Sequence, residues 1–462
     1  MKRILVTIVG QGSITHIIRS GILEGMRAFC EPVIGILWNE ESLVDELRSK
    51  GYEVHIIPPY AANGEYNKLR TKINMWYIRK VLKTPSTRIQ HNYFQQYTTA
   101  KKNLKRKVRW RLEILRQTFI PGYVNRLIAA EKAMIQKQSF YPVYKEWLEA
   151  IHIDGLYTVS PFLQQIELLG RLAKESGVPI ISSIHSFDNI TVRGWPAIFF
   201  DHYIVWNKYN KAELRRINFA FTGEDITIAG APQFDFHFNP SFGQRKEEWL
   251  QRNGIPAGKK IILYGGGPGA LFPNEPQYLK HLVDAFASGL IKEEALIFFR
   301  CHPLDKMDRW KAFVGDSPHI IYDSSPNGKK NLDYTNVTVD DIDKLVSTLK
   351  YTDVHINLCS TMTVDGSVFS KPQIGPAYDD LNKLNEHLLR NLYYQEHFTP
   401  IMEAQVVQLA SSKEQLVQLV NQALEHPELY NRHCKRCVDE IITYTDGHSA
   451  NRVVEVLKRF FS

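Results

Sequence analysis

The 462-residue chain is 44% hydrophobic and 23% charged, with its 22 Pro and 27 Gly scattered. This excludes disordered, collagen-like and coiled-coil proteins, and since single cores seldom exceed about 300 residues it predicts two or three domains. The net charge of +8 is concentrated: between Thr71 and Ala130 fourteen Lys and Arg stand against one acid, Glu113, so that stretch carries +13 and the remainder −5.

Ile4 to Val9 follow Lys2 and Arg3 and end in Gly10-Gln11-Gly12. The run is too short to span a membrane and lacks a small-residue cleavage site, so it reads as a first strand and not as a signal peptide. A helix over about 15–29, a strand over 33–38, a helix over 41–50 and a strand over 53–57 follow, the β-α-β-α-β start of a doubly wound parallel sheet. A basic helical insertion then occupies about 65–140. Within it Leu104, Val108, Leu112, Leu115 and Phe119 recur at helical spacing, while Lys101, Lys102, Lys105, Arg106, Lys107, Arg109, Arg111 and Arg116 fill the other positions. Such a helix either lies on an anionic membrane surface or turns its apolar stripe inward and solvates its cations. The interleaved aromatics Trp76, Tyr77, Tyr93, Phe94, Tyr97 and Trp110 would also suit base stacking, but no nucleic-acid module contains them and no nucleic-acid partner is expected.

The alternation resumes with a strand over 155–158, a helix over 161–176, strands over 179–184 and 202–206, and a helix over 209–217. It then restarts, with strands over 260–264, 296–300, 320–322 and 354–358. The domains predicted are 1–238, 239–448 and a last helix, within 449–462, that returns to the first half. Five cysteines, an odd number, imply no disulfide framework and point to a reducing, cytoplasmic compartment. Cys434 and Cys437 lack a second pair and read as two thiols on one helix, with zinc as the alternative.

Four segments carry chemistry. Gly10-x-Gly12 has Thr15 where a dinucleotide fingerprint needs its third glycine, which argues against a nicotinamide site. The turn nevertheless places His16 at a helix start, as a general base or as a packed core residue. Gly265, Gly266, Gly267 and Gly269 follow the first strand of the second half, where glycines free N–H groups for an anion. Arg300-Cys301-His302-Pro303 ends the next strand and suits phosphate. Ser360 and Thr361 precede a helix carrying Asp365: hydroxyls for phosphate and an acid for ribose, or simple helix capping.

At these residues the sequence resembles the GT-B glycosyltransferases and their relatives. Gly265 to Ala270 resembles the glycine loop of the N-acetylglucosaminyltransferase that completes lipid II. His302-Pro303, Ser360-Thr361 and Asp365 are similar to elements of CDP-glycerol glycerophosphotransferases, CMP-sugar capsule transferases and UDP-N-acetylglucosamine 2-epimerases. Ser186-Phe187-Asp188-Asn189, Trp206-Asn207 and Gly230 to Asp235 resemble segments of bacterial surface-carbohydrate transferases. Phe187 replaces the usual Trp and Asp365 the frequent Glu, which leaves the donor nucleotide open.

The resemblance implies an α/β, GT-B-like fold of two Rossmann-like parallel-sheet domains facing across a cleft. It implies a glycosyltransferase that moves a sugar from a nucleotide-sugar donor to a glycan or lipid-linked acceptor. Gly265, Gly266, Gly267, Gly269, Arg300, His302, Ser360 and Thr361 would hold the phosphates, Asp365 the ribose, and His16 or Asp188 would be the base, with His185 third. No Asp-x-Asp metal signature is evident at these segments, so no metal and no cofactor is expected. The alternatives are a CDP-polyol phosphotransferase, a UDP-sugar 2-epimerase-like enzyme and a non-catalytic carbohydrate- or membrane-binding scaffold. The expected location is cytoplasmic, with peripheral attachment to the inner membrane face as an option; the oligomeric state is left unassigned.

Overall fold

The computed structural model describes residues 1–98, 104–218, 223–323 and 336–462. They form two compact units, one comprising Met1–Thr87, Lys101–Pro232 and Ser449–Ser462, the other Arg88–Ala100 and Gln233–His448.

Unit 1 is built on seven parallel strands: β1 (Lys2–Ile8), β2 (Cys30–Ile36), β3 (Glu53–Ile56), β4 (Gly155–Thr158), β5 (Ile180–Ser183), β6 (His202–Val205) and β7 (Ile226–Ile228). Their spatial order is β3-β2-β1-β4-β5-β6-β7. Five consecutive residues at the end of β1, Ile4 to Ile8, are all buried, the pattern of a strand covered on both faces. The single helix expected over 15–29 is broken instead: a π-helical turn covers Ile14–Arg19, and Gly21, at φ 87°, separates it from the helix Ile22–Met26. The helix Ser449–Phe461 belongs to this unit. Its close approach depends on Gly25 and Gly155, where a Cβ would lie 2.8 Å from Val454 and 2.4 Å from Phe461 respectively.

Unit 2 repeats the arrangement with β8 (Lys260–Gly265), β9 (Ala295–Arg300), β10 (Ile320–Tyr322), β11 (Val354–Asn357), β12 (Gln373–Pro376) and β13 (Val407–Ala410), in the order β10-β9-β8-β11-β12-β13. In both sheets the strand order reverses beside the first strand of the unit. There the crevice opens in which doubly wound sheets take their ligands.

Residues 88–98, part of the stretch read as the first domain's insertion, pack in unit 2. Tyr93 is buried, donates its hydroxyl to the Leu271 carbonyl at 2.7 Å and stacks on Tyr97, which bonds Asp379. These two rings are therefore engaged within the protein. Cys434 and Cys437 lie buried on the helix Asn431–Ile441, and burial pushes both thiols up to about 12.

The remaining insertion helices are tied to unit 1 by buried ions. Glu131, on the helix Tyr123–Ile135, accepts from Arg171 at 3.0 Å and from the Tyr66 hydroxyl at 2.6 Å, and Arg70 reaches both Glu131 and Glu167. Removing one member of such a network leaves its partners charged and uncompensated. Glu131→Ala is accordingly expected to lower the unfolding free energy by about 3–5 kcal/mol in urea titrations. A loss within the scatter of surface substitutions would show that the network does not hold the insertion.

Candidate functional site

In unit 2 three strand-end segments meet. Gly265 pairs with Arg300 on β9 and Asn357 on β11, so the loop after β8 runs between the loops that follow both neighbours. A Cβ on Gly265 would lie 2.6 Å from the Met362 sulfur, one on Gly266 2.8 Å from Trp310, one on Gly267 2.5 Å from Phe272, and one on Gly269 2.7 Å from Asp305. At Gly266 and Gly267 the crowding comes from rings, at Gly265 and Gly269 from the ends of flexible side chains.

The sequence expectation that this loop frees its N–H groups is corrected in part. Gly266 N–H donates to the Arg300 carbonyl and Gly267 N–H to Glu275 Oε2, both at 2.9 Å. Among the described residues the N–H groups of Gly269 and Ala270 make no hydrogen bond to protein. Glu275, 1% exposed beneath the loop, was not singled out by the sequence. Burial pushes its carboxyl up to about 8, against the Gly267 N–H and Arg309, which lower it. At neutral pH it is largely an uncharged acid.

The other predicted residues surround this loop. Arg300 reaches the buried Asp323 at 3.5 Å, which Lys344 also holds at 2.6 Å. His302 Nδ1 accepts the Leu304 N–H at 3.0 Å, so in a neutral imidazole the proton sits on Nε2 as a donor. Cys359 takes a left-handed φ of 44° and turns the chain out of β11. Asn357 Oδ1 fastens this turn by accepting from Ser360 N–H at 3.3 Å and Thr363 Oγ1 at 2.9 Å. Ser360 Oγ accepts the Met362 N–H at 3.2 Å, and Thr361 is exposed without a capping bond. Asp365 Oδ1 is 2.8 Å from His237 Nε2. His237 was missed, although it lies two residues beyond the segment Gly230 to Asp235 that the resemblance drew on.

In unit 1 His16 is 1% exposed, buried in the π-helical turn. His185, the third candidate, follows β5 and lies against the first glycine turn: a Cβ on Gly12 would be 3.1 Å from its Cδ2 and 3.4 Å from its Nε2. Its Nδ1 donates to the Val159 carbonyl at 2.8 Å, which makes Nε2 the acceptor nitrogen of the neutral ring. Burial holds its pKa below the ordinary histidine value. Asp188 Oδ1 accepts from Ser186 Oγ and Asn189 Nδ2, so its carboxylate shapes the turn that carries His185.

The profile of one protein family, CDP-glycerol:poly(glycerophosphate) glycerophosphotransferase, matches residues 195–459, more than half of the chain and all of the unit 2 segments just described. The chain belongs to this family. The resemblance read from His302-Pro303, Ser360-Thr361 and Asp365 is thus borne out. Two Staphylococcus aureus proteins, the teichoic acid ribitol-phosphate polymerases TarK and TarL, are each 26% identical to it over 52% of its length. The chain spans 42% and 38% of their lengths, about two fifths of each. Among solved structures, an S. aureus MnaA–UDP co-structure superposes with a TM-score of 0.55 at 11% identity, over 100% of this chain and 97% of that one. The fold is of the GT-B type, with two Rossmann-like parallel-sheet units.

Glu275 sets a pH dependence. Its folded pKa lies above the ordinary carboxylate value, so between the two the native state holds a proton that the unfolded chain has released. Stability therefore falls as pH rises through that window, by about 1.4 kcal/mol per unit for a single group, and levels off above about 8. Glu275→Gln is expected to flatten this slope in urea titrations between pH 5.5 and 8.5. A variant that keeps the wild-type slope would remove Glu275 as its source.

Proposed function

We propose that this chain is a transferase of cell-surface polymer synthesis that moves the activated group of a nucleotide donor to a hydroxyl of a glycan or lipid-linked acceptor. The observation that carries the reading is the meeting, inside the family-matched segment, of the glycine loop, the His302 donor and Ser360-Thr361 at the switch point of the second sheet. In this reading the diphosphate lies against Gly269, Ala270 and His302, with Ser360 and Thr361 beside it. Arg300 completes the cationic side. Such donors act where charge grows on the departing nucleotide.

Family membership favours a CDP-polyol as donor, from which a polyol phosphate is transferred. The acceptor oxygen then attacks the phosphorus that bears the polyol, the new O–P bond forms, the bridging P–O bond breaks, and CMP leaves with the electron pair. His185 Nε2 takes the acceptor proton; it replaces His16, which is buried. Sugar transfer from a nucleotide sugar would use the same donor residues but attack carbon and release a nucleoside diphosphate. The test supplies CDP-glycerol, CDP-ribitol or UDP-N-acetylglucosamine with a lipid-linked glycerol phosphate primer. Acceptor-dependent CMP release is expected, and His185→Asn should lower it about 10²- to 10⁴-fold with CDP affinity kept. UDP release alone would establish sugar transfer, and no release from any donor would refute the proposal.

The same proposal extends to location. On the helix Leu104–Phe119 it is Glu113 and Gln117 that are buried, while Val108, Leu112 and Leu115 are about half exposed and Phe119 is 74% exposed. These exposed apolar side chains support the outward reading of the stripe; Lys101 and Lys102 lie outside the described residues. Arg109, Arg111 and Arg116 are exposed on the same helix, a combination suited to an anionic bilayer surface. Among the described residues no helix is long and apolar enough to cross a membrane. The doubly substituted Leu115→Glu, Phe119→Glu chain is expected to lose cosedimentation with phosphatidylglycerol vesicles that the unsubstituted chain shows. Equal binding by both, or none by either, would reject membrane docking through this helix.

A further inference from the structure

His237 sits on a short helix, Asp235–Phe238, with its imidazole only 2% exposed between the rings of Phe234 and Phe369. A buried imidazole requires hydrogen-bond partners. Its Nε2 has one, Asp365 Oδ1 at 2.8 Å, and its Nδ1 has none among the described residues. Since a carboxylate only accepts, the ring proton of the neutral form lies on Nε2 and points at Asp365. Asp365 is 18% exposed, and among the described residues its second oxygen makes no bond to protein. One carboxylate oxygen is thus held by His237, while among the described residues the other is bonded to no protein group.

Capping does not account for this pair. The helix Met362–Val368 begins at Thr361, and its N-terminal N–H groups are met by Ser360 and Thr361 oxygens; the Asp365 side chain serves none of them. A core histidine serving packing alone would be met by an aromatic or aliphatic residue as well, without an orphan nitrogen.

We infer that His237 is the positioning residue that aims Asp365 at a ribose hydroxyl of the donor, so that the His237–Asp365 pair sets the preference for ribonucleotides over deoxyribonucleotides. This rests on the proposed reading of Asp365 as the ribose ligand. Fixing the carboxylate in one rotamer before the donor arrives spares the ordering entropy that a free side chain would lose on binding. The hydroxyl then gives its proton to the free oxygen of an already oriented, charged acceptor, the stronger class of hydrogen bond.

The experiment measures dissociation constants of CDP, 2′-deoxy-CDP and 3′-deoxy-CDP for the full chain and its variants by calorimetry, with thermal melts alongside. The unsubstituted chain is expected to prefer CDP over one deoxy analogue by at least about tenfold, in line with a hydrogen bond to a charged group. His237→Leu should weaken CDP about tenfold while leaving that deoxy analogue unchanged, and His237→Gln, whose amide can still donate to Asp365, should restore most of the preference. If His237→Leu does not fold, His237→Asn, too short to reach Asp365, takes its place. Equal weakening of ribo and deoxy ligands, or an unchanged ratio, would overturn the inference. Asp365→Asn separates the two levels: a ratio unmoved by that change refutes the ribose reading itself, whereas a ratio moved by Asp365→Asn but not by His237→Leu refutes only the role of His237.

Discussion

A parallel sheet delivers the carboxyl ends of all its strands to one edge, and in unit 2 that edge is crowded from both sides. β8 lies between β9 and β11, so the loop leaving it must pass under Trp310 on one flank and Met362 on the other. At Gly266 and Gly267 a methyl group would meet the rings of Trp310 and Phe272 at 2.8 and 2.5 Å, contacts that close packing does not allow. The glycine segment thus touches Trp310, on the helix that follows the His302 segment, and Met362, on the helix that carries Asp365.

The electrostatic design of the same edge relies on neutral donors. Arg300 shares Asp323 with Lys344, so its charge is partly offset before any ligand arrives. Glu275 is kept protonated by burial, which removes a negative charge from directly beneath the glycine loop. His302 Nδ1 accepts the Leu304 N–H, which leaves Nε2 as the donor nitrogen of a neutral ring. In the proposed reading, fixed dipoles of this sort would stabilise the charge that develops on the departing nucleotide without reorganising.

Much of the fold was legible in the sequence because fully buried strands read as apolar runs: β1, β2, β8, β9 and β11 all lie where those runs fall. β7, β12 and β13 were not: each breaks its short apolar stretch with Thr, Gly, Pro or Gln, which leaves no apolar run to read. The helix Leu104–Phe119 was legible as amphipathic, but not the direction of its stripe, since periodicity does not say which face meets the protein. The inward side is lined by Glu113 and Gln117, bonded to Tyr123 and the Lys72 carbonyl. The glycine loop was legible as a feature, while its cause, the crowding by Trp310 and Met362, is a tertiary contact. His237 and Glu275 left no local signal; each becomes notable only through a partner many residues away or a burial that composition does not record.

In the proposed function unit 2 binds the donor nucleotide at the edge formed by residues 265–270, 300–303 and 357–365. A crystal structure of the chain with CDP tests it most directly. Diphosphate oxygens are expected within hydrogen-bond distance of the Gly269 and Ala270 N–H groups and of His302 Nε2, with the ribose beside Asp365. A nucleotide bound at the carboxyl edge of the unit 1 sheet, with the second edge empty, would contradict it.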